Sequence, residues 1–189
     1  MDSAALQGGF ADPPVESARA FRAVLDAMAR PGTIRRVTGA APPAPLSVAA
    51  GVLLLVLTDR TTPVWLAPSH DHADVRDWIA FQTGAPIAAP GGAAFALGDW
   101  AGLRPPGRFP TGTPDYPDRS VTLIVEQTVL RAEGARLTGP GIAGAAALNL
   151  PETAAFAENR ARFPLGFDCY FTAGERLAAL PRSTRVEAG

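Results

Sequence analysis

The stretch Leu46–Leu66, LSVAAGVLLLVLTDRTTPVWL, decides the fold. Leu46 to Leu57 is apolar except for Ser47, too short to span a bilayer, and reads as a buried helix. Thr58-Asp59-Arg60-Thr61-Thr62 has the chemistry of a turn. Pro63 to Leu66 then has the β-branched and aromatic content of a short strand. A buried helix that hands over to a strand through a turn is the repeating unit of a sheet covered by helices.

Upstream, Val15 to Ala29 predicts a helix ended by Pro31-Gly32. Ala18, Phe21, Leu25 and Met28 recur at three- and four-residue steps, so they are expected to form its buried face, with Arg19, Arg22, Asp26 and Arg30 largely away from it. Thr33 to Val37 reads as a short strand and residues 39–45 as a loop. Downstream, Ser69 to Gln82 predicts a second amphipathic helix with Val75, Trp78, Ile79 and Gln82 on one face. Ser69 or Asp71 is its expected cap and Gly84 its C′ residue.

Ile87 and Phe95 to Leu97 read as short strands. Residues 99–119 form a long loop rich in Pro and Gly, an expected interface element with Trp100, Phe109 and Tyr116 as its anchors. Val121 to Val125 is the strongest strand. Thr128–Leu130 and Ala135–Thr138 are expected to make a hairpin around Glu133-Gly134, closed by the tight turn Gly139-Pro140-Gly141. Pro151 to Arg162 predicts a third helix. Phe167 to Phe171 alternates, with Phe167, Cys169 and Phe171 on one face and Asp168 and Tyr170 on the other. Val186 ends a last strand. Elements alternate early and strands cluster late, which predicts one α/β domain over residues 1–189, a mixed β-sheet flanked by helices. Residues 1–12 are expected to be a flexible amino-terminal segment.

All 17 basic side chains are arginine; there is no lysine. A Schiff base to pyridoxal phosphate or to a carbonyl substrate is therefore excluded, as is a P-loop lysine. Phosphate recognition would fall to arginine forks, backbone N–H groups or helix ends. The formal net charge of −1 supplies neither a nucleic-acid footprint nor a polybasic membrane patch. The single cysteine, Cys169, and a start without a secretory pattern suit a cytoplasmic protein.

Catalytic motifs are sparse. His70-Asp71-His72-Ala73-Asp74 has an H-x-H-x-D spacing that resembles metallo-β-lactamase ligands, and it motivates an alternative reading: a free-standing metal-dependent hydrolase using His70, His72 and Asp74. Val75 stands where that pattern continues with histidine, and the chain's 2 histidines leave the ligand set short. A helix start also explains Asp71 and Asp74. Neither metal ligands nor catalytic residues are assigned. Cys169 lies mid-strand among phenylalanines, and G-x-S-x-G and G-x-G-x-x-G are absent. Arg30, Arg119 and Arg182 stand beside turn residues. With Asp59, Asp168 and Ser183 they form the candidate set for ligand or interface contacts, internal ion pairs to Asp59, Asp118 or Asp168 being the alternative for the arginines.

Taken in order, several motifs carry a resemblance. They are Phe21–Ile34 (FRAVLDAMARPGTI), Leu57–Val64 (LTDRTTPV), Phe81–Pro86 (FQTGAP), Ala94–Gly98 (AFALG), Leu137–Ile142 (LTGPGI), Phe163–Asp168 (FPLGFD) and Leu180–Thr184 (LPRST). From about residue 10 to residue 186 the chain resembles the H-subunit family of the bacterial carbon–phosphorus lyase system for phosphonate use. The resemblance implies a fold similar to the large domain of pyridoxal-phosphate-dependent transferases, without that cofactor and with no other cofactor. It implies a homodimer that assembles with the G, I and J subunits. It also implies a supporting role in replacing the adenine of ATP by a phosphonate at ribose C1, a step assigned to the I subunit. The product is alpha-D-ribose 1-methylphosphonate 5-triphosphate, and ATP or a phosphonate nucleotide is the implied ligand.

Overall fold

The computed structural model describes residues 7–189. In chain order the elements are α1 (Pro13–Ala29), β1 (Arg35–Arg36), α2 (Val48–Leu57), β2 (Val64–Leu66), α3 (Ala73–Thr83), β3 (Phe95–Asp99), α4 (Trp100–Leu103), β4 (Thr122–Glu126), β5 (Ala135–Thr138), β6 (Ala146–Leu148), α5 (Thr153–Ala161), β7 (Asp168–Ala173), β8 (Arg176–Leu180) and β9 (Arg185–Glu187).

The expected α/β class with a mixed sheet is present. Six strands run in the order β1-β8-β7-β4-β3-β2. The strands β2, β3, β4 and β7 pair in parallel, while β8 and β1 are antiparallel. Register sets the two faces: Leu123 lies beside Ala96 and Cys169, and Ile124 beside Leu97 and Tyr170. Because side chains alternate along a strand, Ile124, Tyr170, Leu97 and Leu177 pack under α1, α2 and α3. Leu123, Val125, Cys169 and Phe171 face the other way, onto Leu103, Phe156, Leu137, Leu148 and Val186. The alternation expected for Phe167–Phe171 is thus realised. Burial pushes the Cys169 thiol well above its ordinary value, so it stays an unreactive apolar filler.

Four details differ from the sequence reading. First, α1 buries Ala20, Val24 and Ala27, while Phe21 and Leu25 are 47% and 55% exposed. The smaller side chains allow a close approach to α2 and β8, and Tyr170 Oη donates to the Val24 carbonyl at 3.3 Å. Second, Thr128–Leu130 is not a strand. The Asn149 amide supplies what a ladder would have: Nδ2 donates to the Val129 carbonyl at 2.9 Å, and Oδ1 accepts from Arg131 N at 2.6 Å. Instead β5 pairs with β6 and β9 in a second sheet, order β6-β5-β9. Third, α3 starts at Ala73 with His72 as its first cap residue and no side-chain cap. Neither Ser69 nor Asp71 caps it: Ser69 Oγ lies 2.9 Å from His70 Nδ1, and Asp71 is bound by Arg76. Fourth, the 99–119 loop contains α4 and a single 3-10 turn at Pro106–Arg108.

Two sequence motifs meet where α1 ends. Gly141 has φ +79°, and an added Cβ would lie 2.0 Å from the Ala29 carbonyl oxygen. Only glycine lets the 139–141 turn approach that closely. Of the amino-terminal segment, residues 1–6 lie outside the described residues. Within 7–12, the Gln7 carbonyl accepts from Trp78 Nε1 at 3.0 Å and the Gly8 carbonyl from Ala41 N at 2.9 Å. Among the described residues no helix is long and apolar enough to cross a membrane.

The orientation of α1 gives a direct test by thermal or chemical denaturation. Val24→Ala empties a packed site and is expected to cost about 2 kcal/mol. Leu25→Ala, on the outward face, should stay within about 0.5 kcal/mol of the parent chain.

Candidate functional site

Arg182 follows the end of β8 and precedes β9, where the chain passes from the six-stranded sheet to the second one. Asp168, the first residue of β7, sits beside it. Asp168 Oδ1 accepts from Arg182 N at 2.8 Å and Nε at 3.1 Å, and Oδ2 accepts from Nη2 at 2.6 Å. This is the bidentate guanidinium–carboxylate geometry that lysine cannot reproduce. Arg182 Nη1 also donates to the Pro117 carbonyl at 2.7 Å and reaches the Pro164 carbonyl at 3.4 Å, while Nη2 donates to Ser120 Oγ. The Arg182 and Asp168 side chains are only 12% and 24% exposed.

The neighbouring loop is held with equal care. Buried Asn159 donates Nδ2 to the Phe167 carbonyl at 2.8 Å and accepts from Phe167 N at 3.0 Å. Between them Gly166 has φ +125°, and an added Cβ would fall 2.3 Å from Asn159 Oδ1. The Phe163–Asp168 motif is therefore a turn built around an asparagine bracket, ending on the carboxylate that Arg182 holds.

Above this clamp lies an open depression of about 460 Å³. Its walls include Pro117, Pro164, Pro181, Phe163, Asp118 and Ser183, with Asp168 and Arg182 at its base. Of the candidate residues, Asp168, Arg182 and Ser183 come together here. Arg119 borders an adjoining depression that shares Asp118 and Ser120, and its guanidinium lies 3.9 Å from the centre of the Tyr116 ring. Arg30 and Asp59 are not part of it. Arg30 pairs with Asp26 at 2.9 Å. Asp59 closes its own turn by accepting from Thr61 N at 2.8 Å and Thr61 Oγ1 at 2.7 Å, bonds that hold its pKa below the ordinary value.

Every bond drawn for Arg182 is internal. A guanidinium engaged with Asp168, Pro117, Pro164 and Ser120 has little capacity left for a triphosphate, and the acids on its walls oppose an anion. The loop anchors also divide. Trp100 stacks on Phe156 at 5.0 Å and donates to Glu152 Oε2, and Phe109 packs on Trp65 at 5.2 Å. Tyr116 stays 50% exposed.

The His70 region does not assemble a metal site. His70 is buried, with Nδ1 2.9 Å from Ser69 Oγ, and burial lowers its pKa. His72 Nε2 lies 3.2 Å from the Ser69 carbonyl. Asp74 belongs to the first turn of α3. Among the described residues no three His, Cys, Asp or Glu side chains group as metal ligands, so the hydrolase alternative gains no support.

One residue escaped the sequence reading. Glu126, the last residue of β4, accepts from Ser47 N at 2.7 Å and Thr172 Oγ1 at 2.8 Å. It thereby ties the start of α2 to β7. Ser47 itself caps α2 through Ala50 N at 3.1 Å. The signal was available in a polar residue ending the strongest strand and a serine opening the most apolar helix. Burial outweighs these donors and raises the Glu126 pKa.

Comparison with known proteins adds two findings. A family model described as "Bacterial phosphonate metabolism protein (PhnH)" matches residues 8–187. A protein of Rhizobium meliloti (strain 1021), alpha-D-ribose 1-methylphosphonate 5-triphosphate synthase subunit PhnH, is 43% identical over 190 aligned positions, which cover 95% of this chain and 94% of that protein.

Two stability measurements probe the site. Arg182→Ala strands the Asp168 carboxylate and should cost about 3 kcal/mol, at the lower end for a broken ion pair because both partners are partly exposed. Arg182→Lys should recover less than half of that loss. For Glu126 the raised pKa means that folding favours the protonated acid, so its contribution is fully present below the ordinary value of 4.5 and declines as pH rises through the raised value. Glu126→Gln should flatten that part of the stability–pH curve; an unchanged slope would assign the dependence to another group.

Proposed function

This chain belongs to the PhnH family of bacterial phosphonate metabolism proteins, and from that premise we propose that it is a subunit of the complex that makes alpha-D-ribose 1-methylphosphonate 5-triphosphate from ATP and methylphosphonate. In this reaction the bond from ribose C1 to adenine breaks and a bond from C1 to a phosphonate oxygen forms. The role proposed for this chain is accessory and structural, with the chemistry carried by the assembled complex.

One observation carries this division of labour. The best-placed cation among the candidates, Arg182, is spent on holding its own chain together. The absence of lysine points the same way, because it removes Schiff-base and P-loop-lysine chemistry at every position. We place Asp168 and Arg182 in the clamp. Ser183 and Arg119 border the depressions above it and are proposed to meet a partner or ligand, while Arg30 and Asp59 serve as contacts outside them.

The finer features belong to the same proposal. The chain acts as one domain in the cytoplasm and as a homodimer, assembled with the G, I and J subunits. Its sheet is a relative of the pyridoxal-phosphate transferase large domain that cannot form the Schiff base. ATP or the phosphonate nucleotide is the ligand this chain would help to hold, through groups other than the occupied Arg182.

The test is adenine release from ATP and methylphosphonate, followed by chromatography. The purified chain alone should release none. Adding it to the remaining subunits should raise release well above the level reached without it. Turnover by the isolated chain would overturn the accessory role.

A further inference from the structure

The outward side of α1 carries the larger apolar residues. Val15, Phe21 and Leu25 are 42%, 47% and 55% exposed, whereas the inward side is built from Ala20, Val24 and Ala27. Phe21 and Ala18 also wall a groove of about 350 Å³ whose other side is Leu55 and Val56 at the end of α2. A contiguous apolar surface of this kind marks an interaction site, whereas singly scattered apolar residues do not.

Charge says what covers it. Arg19 and Arg22 are exposed on the same helix, and neither forms an ion pair among the described residues. The acids of α1 are engaged elsewhere: Asp26 binds Arg30 and Arg35, and Glu16 accepts from Asp12 N at 2.9 Å. Helical spacing puts Arg22 on the face of Ala18 and Leu25. If the stripe packed antiparallel on its own copy about a two-fold axis at its centre, Arg22 would meet Arg22 in a dehydrated contact, a costly pairing of like charges. A chain of opposite charge avoids this.

We propose that the outward face of α1 and the end of α2 form the docking surface for a different subunit, through an apolar helix or ridge that places a carboxylate opposite Arg22. This inference rests on the subunit reading given above and adds the surface and the chemistry of its partner.

The experiment uses the full chain and the other purified subunits of its own synthase. Assembly affinity is measured together with light-scattering mass and melting of the isolated chain, for the parent, Leu25→Glu, Arg22→Glu and Arg22→Lys. Leu25→Glu and Arg22→Glu should each weaken assembly by about tenfold or more, as expected for anchors near an interface centre, with Arg22→Lys close to the parent. Melting and mass of the isolated chain should not change. Parent-like assembly by both glutamate variants would overturn the surface. Halving of the isolated chain's mass in Leu25→Glu, at unchanged melting, would overturn the occupant and assign the stripe to a second copy. Failure of the parent chain itself to assemble would overturn the subunit reading, and this inference with it. Since Arg22 is exposed, its variants leave the core untouched and the result readable.

Discussion

One ion pair joins segments of this chain that lie far apart in sequence. Arg182 stands at the passage between the two sheets and binds Asp168 at the start of β7, while its remaining donors hold the Pro117 and Pro164 carbonyls and the Ser120 hydroxyl. Loops without regular structure need their backbone polar groups satisfied somewhere. Here one planar guanidinium does this for segments far apart in sequence. Each of its two charges keeps hydrogen-bond partners, so neither is left orphaned.

The central strands β4 and β7 are thus fastened at both ends, by different chemistry. At their amino ends the fastening is the ion pair. At their carboxyl ends it is the lone carboxylate of Glu126, satisfied by the Ser47 N–H and the Thr172 hydroxyl. The first kind neutralises charge; the second tolerates a buried acid by surrounding it with donors. Between these ends the strands present Ile124 and Tyr170 to the helices α1, α2 and α3, and Leu123, Cys169 and Phe171 to α5 and the second sheet. Either face alone would leave half the sheet wet. The second sheet, made of β5, β6 and β9, completes the cover.

This architecture also explains the chain's use of arginine. The visible work of arginine is internal at Arg182 and, on our reading, external at Arg22. At Arg182 the planar fork of the guanidinium matters, whereas at Arg22 the proposed contact needs only its positive charge. The depression above the clamp and the stripe on α1 are the two surfaces we propose for contact. Neither brings together the nucleophile, base and charge-stabilising donors that a self-sufficient catalyst requires.

The local and periodic features were legible in the residues. The apolar run with Ser47 at its start determined α2, the β-branched run at Val121–Val125 determined β4, and the alternation from Phe167 to Phe171 determined which side chains face which core. The absence of lysine determined the excluded chemistries without any structure. Tertiary structure decided the rest. Periodicity marks an apolar stripe but not what lies opposite: of Ala18, Phe21, Leu25 and Met28 only Met28 packs on the core, and Ala20, Val24 and Ala27 fill the rest of the contact. A strand's partner is set by long-range closure, so β5 found β6 and β9 where a local hairpin was expected. The role of Arg182 could not be read from its neighbours Pro181 and Ser183, because the acceptors that occupy it come from residues 117, 120, 164 and 168. Only folding brings them within hydrogen-bond distance.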